Sequence, residues 1–519
     1  MPLSLDTIPQ EVLEHIAFST VTESFLGPPS SLIPLLNTSR RINTRLSIIT
    51  NKYLYARIFV FKFDVGAPIA RFGSVRLSAS ALSHELQQRF ELFHRIRGRS
   101  DAKSLHNLNS TDGDGISNLL LHAYLIMLEN EGKNERQLRD YAKMGDWLRE
   151  FWFDERGASK SIVHIRLGKW PPNSRTSALA MWLFWFLLTP SSFALVISDG
   201  PESPINILKI HALAAHIYDL STLPWAEFEA KASSNPADSI SYYLDCFELS
   251  PLPLAMPAIL AFLALMNRSR SVPLPPTDSA IHFKPSSEWD CEWGRCLILG
   301  QGRANTDITA CFEPGSLEGV WEGFFVYAEF TSYVELLHGA PPQIFYRSAL
   351  GRHQQTWKLR EHHLVTQDLC FPESGVHLTV DGVKPLPAGD PLRSFFPTDT
   401  HIREHPDGLL VSEPGRKVPL HYQRSTRGQP GSKPCVQDVI VTGEGHSAWG
   451  QFNIIGRVRP HDGFITLSKA YVDDDRGRWL YRGYLIGNGN GNFAGRWRDT
   501  MSSIDNPGYE GCFGMSRRR

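Results

Sequence analysis

The sequence predicts an α+β multidomain protein with a short helical head, an all-α middle region and a C-terminal antiparallel β-barrel. Three features carry this reading. Apolar residues recur at spacings of three and four through the first half of the chain. The proline-rich stretch SVPLPPTDS, Ser271 to Ser279, interrupts that pattern. Beyond it the chain becomes Trp- and Gly-rich, with short alternating runs separated by turn signals. A chain of 519 residues exceeds one ordinary core. The boundaries read as head 1–62, helical middle 63–270, linker 271–285, barrel 286–505 and tail 506–519.

The head opens with DTIPQEVLEHIAF. Thr7 and Gln10 stand at capping-box spacing, and Pro9 falls in the first turn, where its missing N–H costs nothing. Val12, Leu13 and Ile16 then share a helical face. FLGPPSS breaks this helix, and a second begins near Ser31 with Leu32, Leu35 and Leu36 apolar and Pro34 in its first turn. A third pattern runs through Ile42, Leu46, Ile49 and Tyr53 toward LYARIF.

The middle, from about Ser78 to Met266, alternates helical segments with short breaks. In NERQLRDYAKMGDWLREFWF, for example, Leu138, Tyr141, Leu148 and Trp152 fall on one side. No fixed period marks a solenoid. The segment nearest to a membrane span is Ala178 to Ile197. Its apolar run stops after Leu188 at TPSS, short of the roughly 20 residues that spanning requires, so it reads as a buried helix.

In the last region VWEGFFVYAEF, GQFNIIGRVRP, GFITLSKAYV, GRWLYRGYLIG and NFAGRWRD read as strands joined by HDG, DDDRG and GNGNGN. A meander of this length closes or pairs to avoid open edges. Gly487, Gly489 and Gly491 invite comparison with a dinucleotide loop, but that loop must lead from a strand into a helix. Here Phe493, Gly495 and Trp497 alternate with Ala494, Arg496 and Arg498, as in a strand. The glycines therefore read as a hairpin turn.

Signals for chemistry are sparse. The formal net charge of −1 provides no general pull toward nucleic acid or anionic lipid. Seven scattered cysteines make no disulfide framework and point to reduced thiols, hence cytoplasm or nucleus. Asp6 and Glu11 occupy the place where a signal peptide needs a basic start and an apolar core. GHSAWG lacks the second glycine of a nucleophile elbow, with Trp449 in its place, so Ser447 reads as a loop serine. His353, His362, His363, His401 and His405 read as exposed or hydrogen-bonded loop histidines rather than metal ligands. The closing Arg517 to Arg519 reads as a solvated tail. No metal, cofactor or catalytic residue is expected. The aromatics stand out: Trp321, Trp357, Trp479 and Trp497 fill a barrel or line its mouth, with Arg457, Arg496 or Arg498 as polar anchors.

IPQEVLEHIAF, LIPLLNTSRRINTRL and LYARIF together resemble an F-box, over about Leu5 to Phe59, with TESFLGPPSS lengthening the usual first connection. The resemblance implies a three-helix F-box that binds the Skp adaptor, and through it a cullin. Ile8, Pro9, Val12, Leu13, Ile16, Leu35 and Leu36 are the adaptor-binding positions it implies. GSLEGVWEGFFVYAEF, GRHQQTWKLREHHL, GRVRPHDGFITL and GRWLYRGYL…GRWRD resemble the C-terminal part of large fungal F-box proteins. That part is similar to the lipocalin-like barrel of an animal F-box-only substrate receptor. Gly319-x-Trp321 matches the opening lipocalin strand, and an arginine of the closing strand, Arg496 or Arg498, is expected to stack on Trp321. The implied protein is a non-catalytic substrate receptor of a Skp–cullin–F-box ubiquitin ligase, its helical middle a rigid spacer and its barrel selecting a target protein of unknown identity. The alternatives are a lipocalin-like small-molecule binder without a ligase role, and a serine hydrolase using Ser447.

Overall fold

The computed structural model describes residues 7–103, 113–188, 203–221, 228, 238–266, 286–302, 307–365, 395–397, 399–425, 436–473, 476–488, 491–503 and 506–518. The linker at 271–285 lies outside the described residues. Two compact units emerge. One comprises Met1–Ile162, Asp238–Glu248 and Asp278–Ser287; the other comprises Val163–Ala237, Leu249–Thr277 and Glu288–Arg519. The division falls inside the stretch read from sequence as a single helical middle.

The first unit opens with α1 (Gln10–Thr22), α2 (Leu32–Leu36), α3 (Arg40–Leu46) and α4 (Lys52–Lys62). The residue at the start of α1 is Pro9, which offers no side-chain cap. The Gln10 side chain is engaged by Arg45, whose Nε donates to Gln10 Oε1 at 2.7 Å while the same guanidinium reaches the Ile8 carbonyl at 2.8 Å. The third apolar pattern is two helices, not one. Ser39 and Asn51 each cap a new start by accepting from the N–H three residues on. Ile42 and Leu46 are buried, whereas Ile49 and Tyr53 lie in the break and the next first turn, 83% and 64% exposed.

Helix α5 (Gly66–Arg76), α6 (Ala79–Gly98) and α7 (Gly113–Leu128) follow, with α6 packed on α4. The middle region is not all-α. β1 (Asp238–Tyr242) and β2 (Asp245–Leu249) form a two-stranded hairpin. Its turn residues Tyr243 and Leu244 sit at φ 52° and 69°, without the Asn or Gly that such backbone favours. Arg89 holds the turn. Its guanidinium donates to Glu129 at 2.7 Å, Tyr242 Oη at 3.1 Å and Tyr243 Oη at 2.9 Å, and its Nε to Glu85 at 3.0 Å.

In the second unit the helix Arg175–Phe186 is the expected buried segment, every residue from Ser177 to Phe186 being buried. Among the described residues no helix is long and apolar enough to cross a membrane. The C-terminal part is a closed antiparallel barrel of eight strands. β3 (Gly319–Ala328) pairs with β4 (Leu350–Val365), and β4 pairs with β8 (Val436–Ser447). β9 (Gly450–Val458), β10 (Phe464–Tyr471), β11 (Arg478–Ile486) and β12 (Asn492–Asp499) continue the meander. β13 (Glu510–Arg517) pairs with both β12 and β3, and so shuts the ring. The segment read as a tail is thus the closing strand. β5 (His401–His405), β6 (Gly408–Ser412) and β7 (Leu420–Arg424) extend the sheet from the far end of β4.

The five segments read as strands are β3 and β9 to β12. The glycine ladder joins two of them, since the β11–β12 pairing runs to Ile486 opposite Asn492. Gly487 turns the chain at φ 81°, and a Cβ there would meet Glu288 Oε1 at 2.8 Å. No helix follows it.

A candidate ligand site in the barrel mouth

Strand alternation decides which side chains enter the barrel. From β10 the inward set is Ile465, Leu467, Lys469 and Tyr471; from β11 it includes Trp479, Tyr481 and Leu485; from β12, Phe493 and Trp497. One end of the interior is filled. There Trp357 meets Tyr481, Phe493 and Phe513 edge-on or tilted, at centroid distances of 5.2, 6.0 and 6.0 Å. The other end opens into a cavity of about 160 Å³. An eight-stranded barrel has room for packed side chains or for one small ligand, and this one divides its length between the two.

The cavity is an aromatic box. Phe325, Tyr481 and Trp497 are buried at its base, while Tyr327, Trp449, Trp479 and Tyr509 are half-buried at its rim. Rings lock edge to face: Trp479 on Trp497 at 5.3 Å, Trp497 on Tyr509 at 5.4 Å, Phe325 on Trp497 at 5.7 Å. Gly511 lies opposite Trp497 in the β12–β13 register, and a Cβ there would sit 2.6 Å from the indole. Glycine at that point lets the wall close on the ring.

Among the described lining residues one charged group stands in this box. Lys469 is 1% exposed, and its Nζ donates to Gln355 Oε1 at 3.1 Å. The ammonium lies 3.9 Å from the Phe452 ring centroid and 4.7 Å from that of Tyr471. Among the described residues no carboxylate pairs with it, and burial pushes its pKa down to about 7. Other polar atoms of the wall are engaged elsewhere. Trp497 Nε1 donates to the Val326 carbonyl, Trp479 Nε1 to that of Arg476, and Tyr509 Oη to that of Ala328. Tyr471 Oη bonds Ser447 at 3.0 Å, and Tyr327 Oη bonds His353 Nε2 at 3.1 Å.

Of the residues singled out from sequence, Trp479 and Trp497 come together in this cavity. Trp321 and Trp357 are 1% exposed and belong to the filled core. The arginines do not join them, because Arg457, Arg496 and Arg498 alternate to the outer side of their strands. Arg457 chelates Asp438, with contacts from 2.8 to 3.0 Å. Arg496 donates to the carbonyls of Ala215 and Ala212, and Arg498 to those of Ser503 and Asn506. The arginine that stacks on Trp321 is Arg517, at 5.2 Å, placed there by the direct register between β13 and β3. It is held further by the Ser316 carbonyl, so it is no solvated tail.

Ser447 ends β8 at the turn into β9. Its hydroxyl meets Tyr471 Oη and the Trp449 N–H, neither of them a general base. The histidines lie on strands rather than loops. His362 bonds Thr442 and His363 bonds Glu361, at 2.9 and 2.8 Å. On the β5–β7 extension His405, Asp407 and His421 bring three ligand-type atoms within 4.8 Å of one another, on an exposed face. His405 bonds Asp407, and that bond draws the carboxyl below its usual range. Pairing across β5, β6 and β7 makes this group, which spacing along the chain does not reveal.

Lys469 was missed from sequence. The signal was present: in Ile465-x-Leu467-x-Lys469-x-Tyr471 a lysine occupies an apolar register. No family model, curated protein or solved structure matches the chain.

Proposed function

We propose that this protein is a substrate-recognition subunit of a Skp–cullin–F-box ubiquitin ligase, docking on the Skp adaptor through its first helices and taking a target through the barrel. What supports the adaptor reading is the division of α1. Leu13, Ala17 and Val21 are sealed inward, while Pro9, Val12 and Ile16 face out, with Val12 47% and Ile16 37% exposed. Ile33 of α2 is 55% exposed, and Leu35 and Leu36 are half-buried. An outward apolar stripe on a helix fits a groove in a partner. Leu13 is buried beneath that stripe, and Ile8 is half-buried.

Capture of the intact chain by purified Skp adaptor tests this reading. Val12→Asp and Ile16→Asp, at exposed positions, should leave melting within about 0.5 kcal/mol of wild type. Each should weaken capture by at least roughly 30-fold, as loss of an interface anchor does. An intact chain that fails to bind beside a competent control F-box sinks the reading. A second reading, a barrel that binds a small apolar ligand, is favoured by the aromatic cavity around Lys469.

A further inference from the structure

We propose that the barrel mouth captures a small aromatic aldehyde or ketone, with Lys469 Nζ forming a reversible imine to the ligand carbonyl. The inference rests on the ligand-binding reading of the barrel and is independent of adaptor docking. Its first support is position. An amine at an inward strand position, walled by Phe452, Tyr471, Tyr481 and Phe325, looks into a cavity open at the barrel end.

Size is the second support. A void of about 160 Å³ matches the roughly 150 Å³ known to hold one benzene ring, and is too small for a long-chain lipid. Aromatic faces on all sides suit a flat ring.

The third support is the polar inventory. A carboxylate entering the box would need donors for two oxygens. The indole N–H groups of Trp479 and Trp497 and the Tyr509 hydroxyl already serve backbone carbonyls, and the Tyr327 and Tyr471 hydroxyls bond His353 and Ser447, so the lysine is the one charged donor among the described lining residues. A second oxygen stripped of water would have to compete with those existing bonds, at a cost of kilocalories where it goes unpaired. A carbonyl asks for one partner only. Tyr471 and Tyr481 are the titratable groups facing the amine, and among the described residues no acid or second cation does. Burial keeps a large fraction of the amine unprotonated near neutral pH, the state in which nitrogen is a nucleophile.

The step balances without a cofactor. The Nζ lone pair adds to the carbonyl carbon, and the C=O π pair moves to oxygen. Both amine hydrogens end on that oxygen, and water leaves as the C=N bond forms.

The test incubates the full chain at pH 7.5 with benzaldehyde and sodium cyanoborohydride, which delivers hydride to an imine carbon, and maps the benzylated peptides. The expected result is one saturable benzyl group on Lys469, formed at least tenfold faster than on any exposed lysine and absent from Lys469→Met. Toluene occupancy, read from the fluorescence of the wall tryptophans, is measured in parallel. Benzylation confined to exposed lysines while toluene binds overturns the imine and leaves the ligand-binding reading intact. Neither adduct nor toluene binding overturns both. Benzoate binding with Lys469 unmodified by benzaldehyde also overturns the imine, in favour of an anion site. Should the Met variant not fold, peptide mapping of the wild type still decides.

Discussion

Lys469 sits where the alternation of β10 calls for a hydrophobe, and burying an amine with a single amide oxygen as partner destabilises the folded barrel. Lys469→Met should therefore raise stability by on the order of 2 kcal/mol at pH 7. The pH dependence has a definite sign. The amine titrates near 7 when folded, against 10.5 in its ordinary state, so between those values the unfolded chain holds the extra proton. The contribution of Lys469 to stability climbs with pH across that window, and the variant lacks the climb. Its advantage, followed by urea melts from pH 7 to pH 10, should shrink steadily; a constant or growing advantage would show that the lysine is not buried as described. Arg517 shows the same logic from the other side. A residue that chain position suggests is solvated is placed by strand register on the face of Trp321, a contact of about 1 kcal/mol.

Among elements, the β1–β2 hairpin depends on groups far away in sequence. Its turn takes two left-handed residues without glycine, a strained arrangement that persists only when neighbours impose it. Arg89 imposes it, clamped between the Phe59 and Phe63 rings at 4.9 Å each and bonded to Glu85, Glu129 and both turn-side tyrosines. Removing the cation takes the shared guanidinium from two buried carboxylates, leaving Glu85 with His122 and Glu129 with the Tyr243 hydroxyl. Arg89→Met should cost about 3–5 kcal/mol in chemical denaturation. Adding Glu129→Gln to that variant should recover part of the loss; a single variant within 1 kcal/mol of wild type would contradict the network. Helix α1 presents a different case, because its helical character is local and was readable from the spacing of Val12, Leu13 and Ile16. Periodicity groups those three on one broad face, however, and only packing separates buried Leu13 from exposed Val12 and Ile16.

For the molecule as a whole, closure of the barrel depends on its last strand. β13 bonds to β12 on one side and β3 on the other, so its loss would leave two open edges and expose Trp497 and Phe325. Deleting residues 510–519 should abolish a single cooperative melt of the second unit and promote aggregation, measurable by calorimetry and light scattering. An unchanged melt would mean that the ring closes without it.

Local patterns of residues were enough for the helical head, the buried character of Ala178 to Leu188, the strands β3 and β9 to β12, and the glycine turn between the last two. Each rests on a period of two or near 3.6, or on turn residues, within a single short window. Tertiary structure alone decided that EGCFGMSR is a strand, that Tyr243-Leu244 is a turn, and that His405, Asp407 and His421 meet. It also decided that Trp479 and Trp497 share a cavity while Trp321 and Trp357 fill the core. Those outcomes depend on register between strands distant in sequence, and on buried charges that offset local preference. A one-dimensional pattern can say which side of a strand a residue takes, but not which end of a closed barrel remains open.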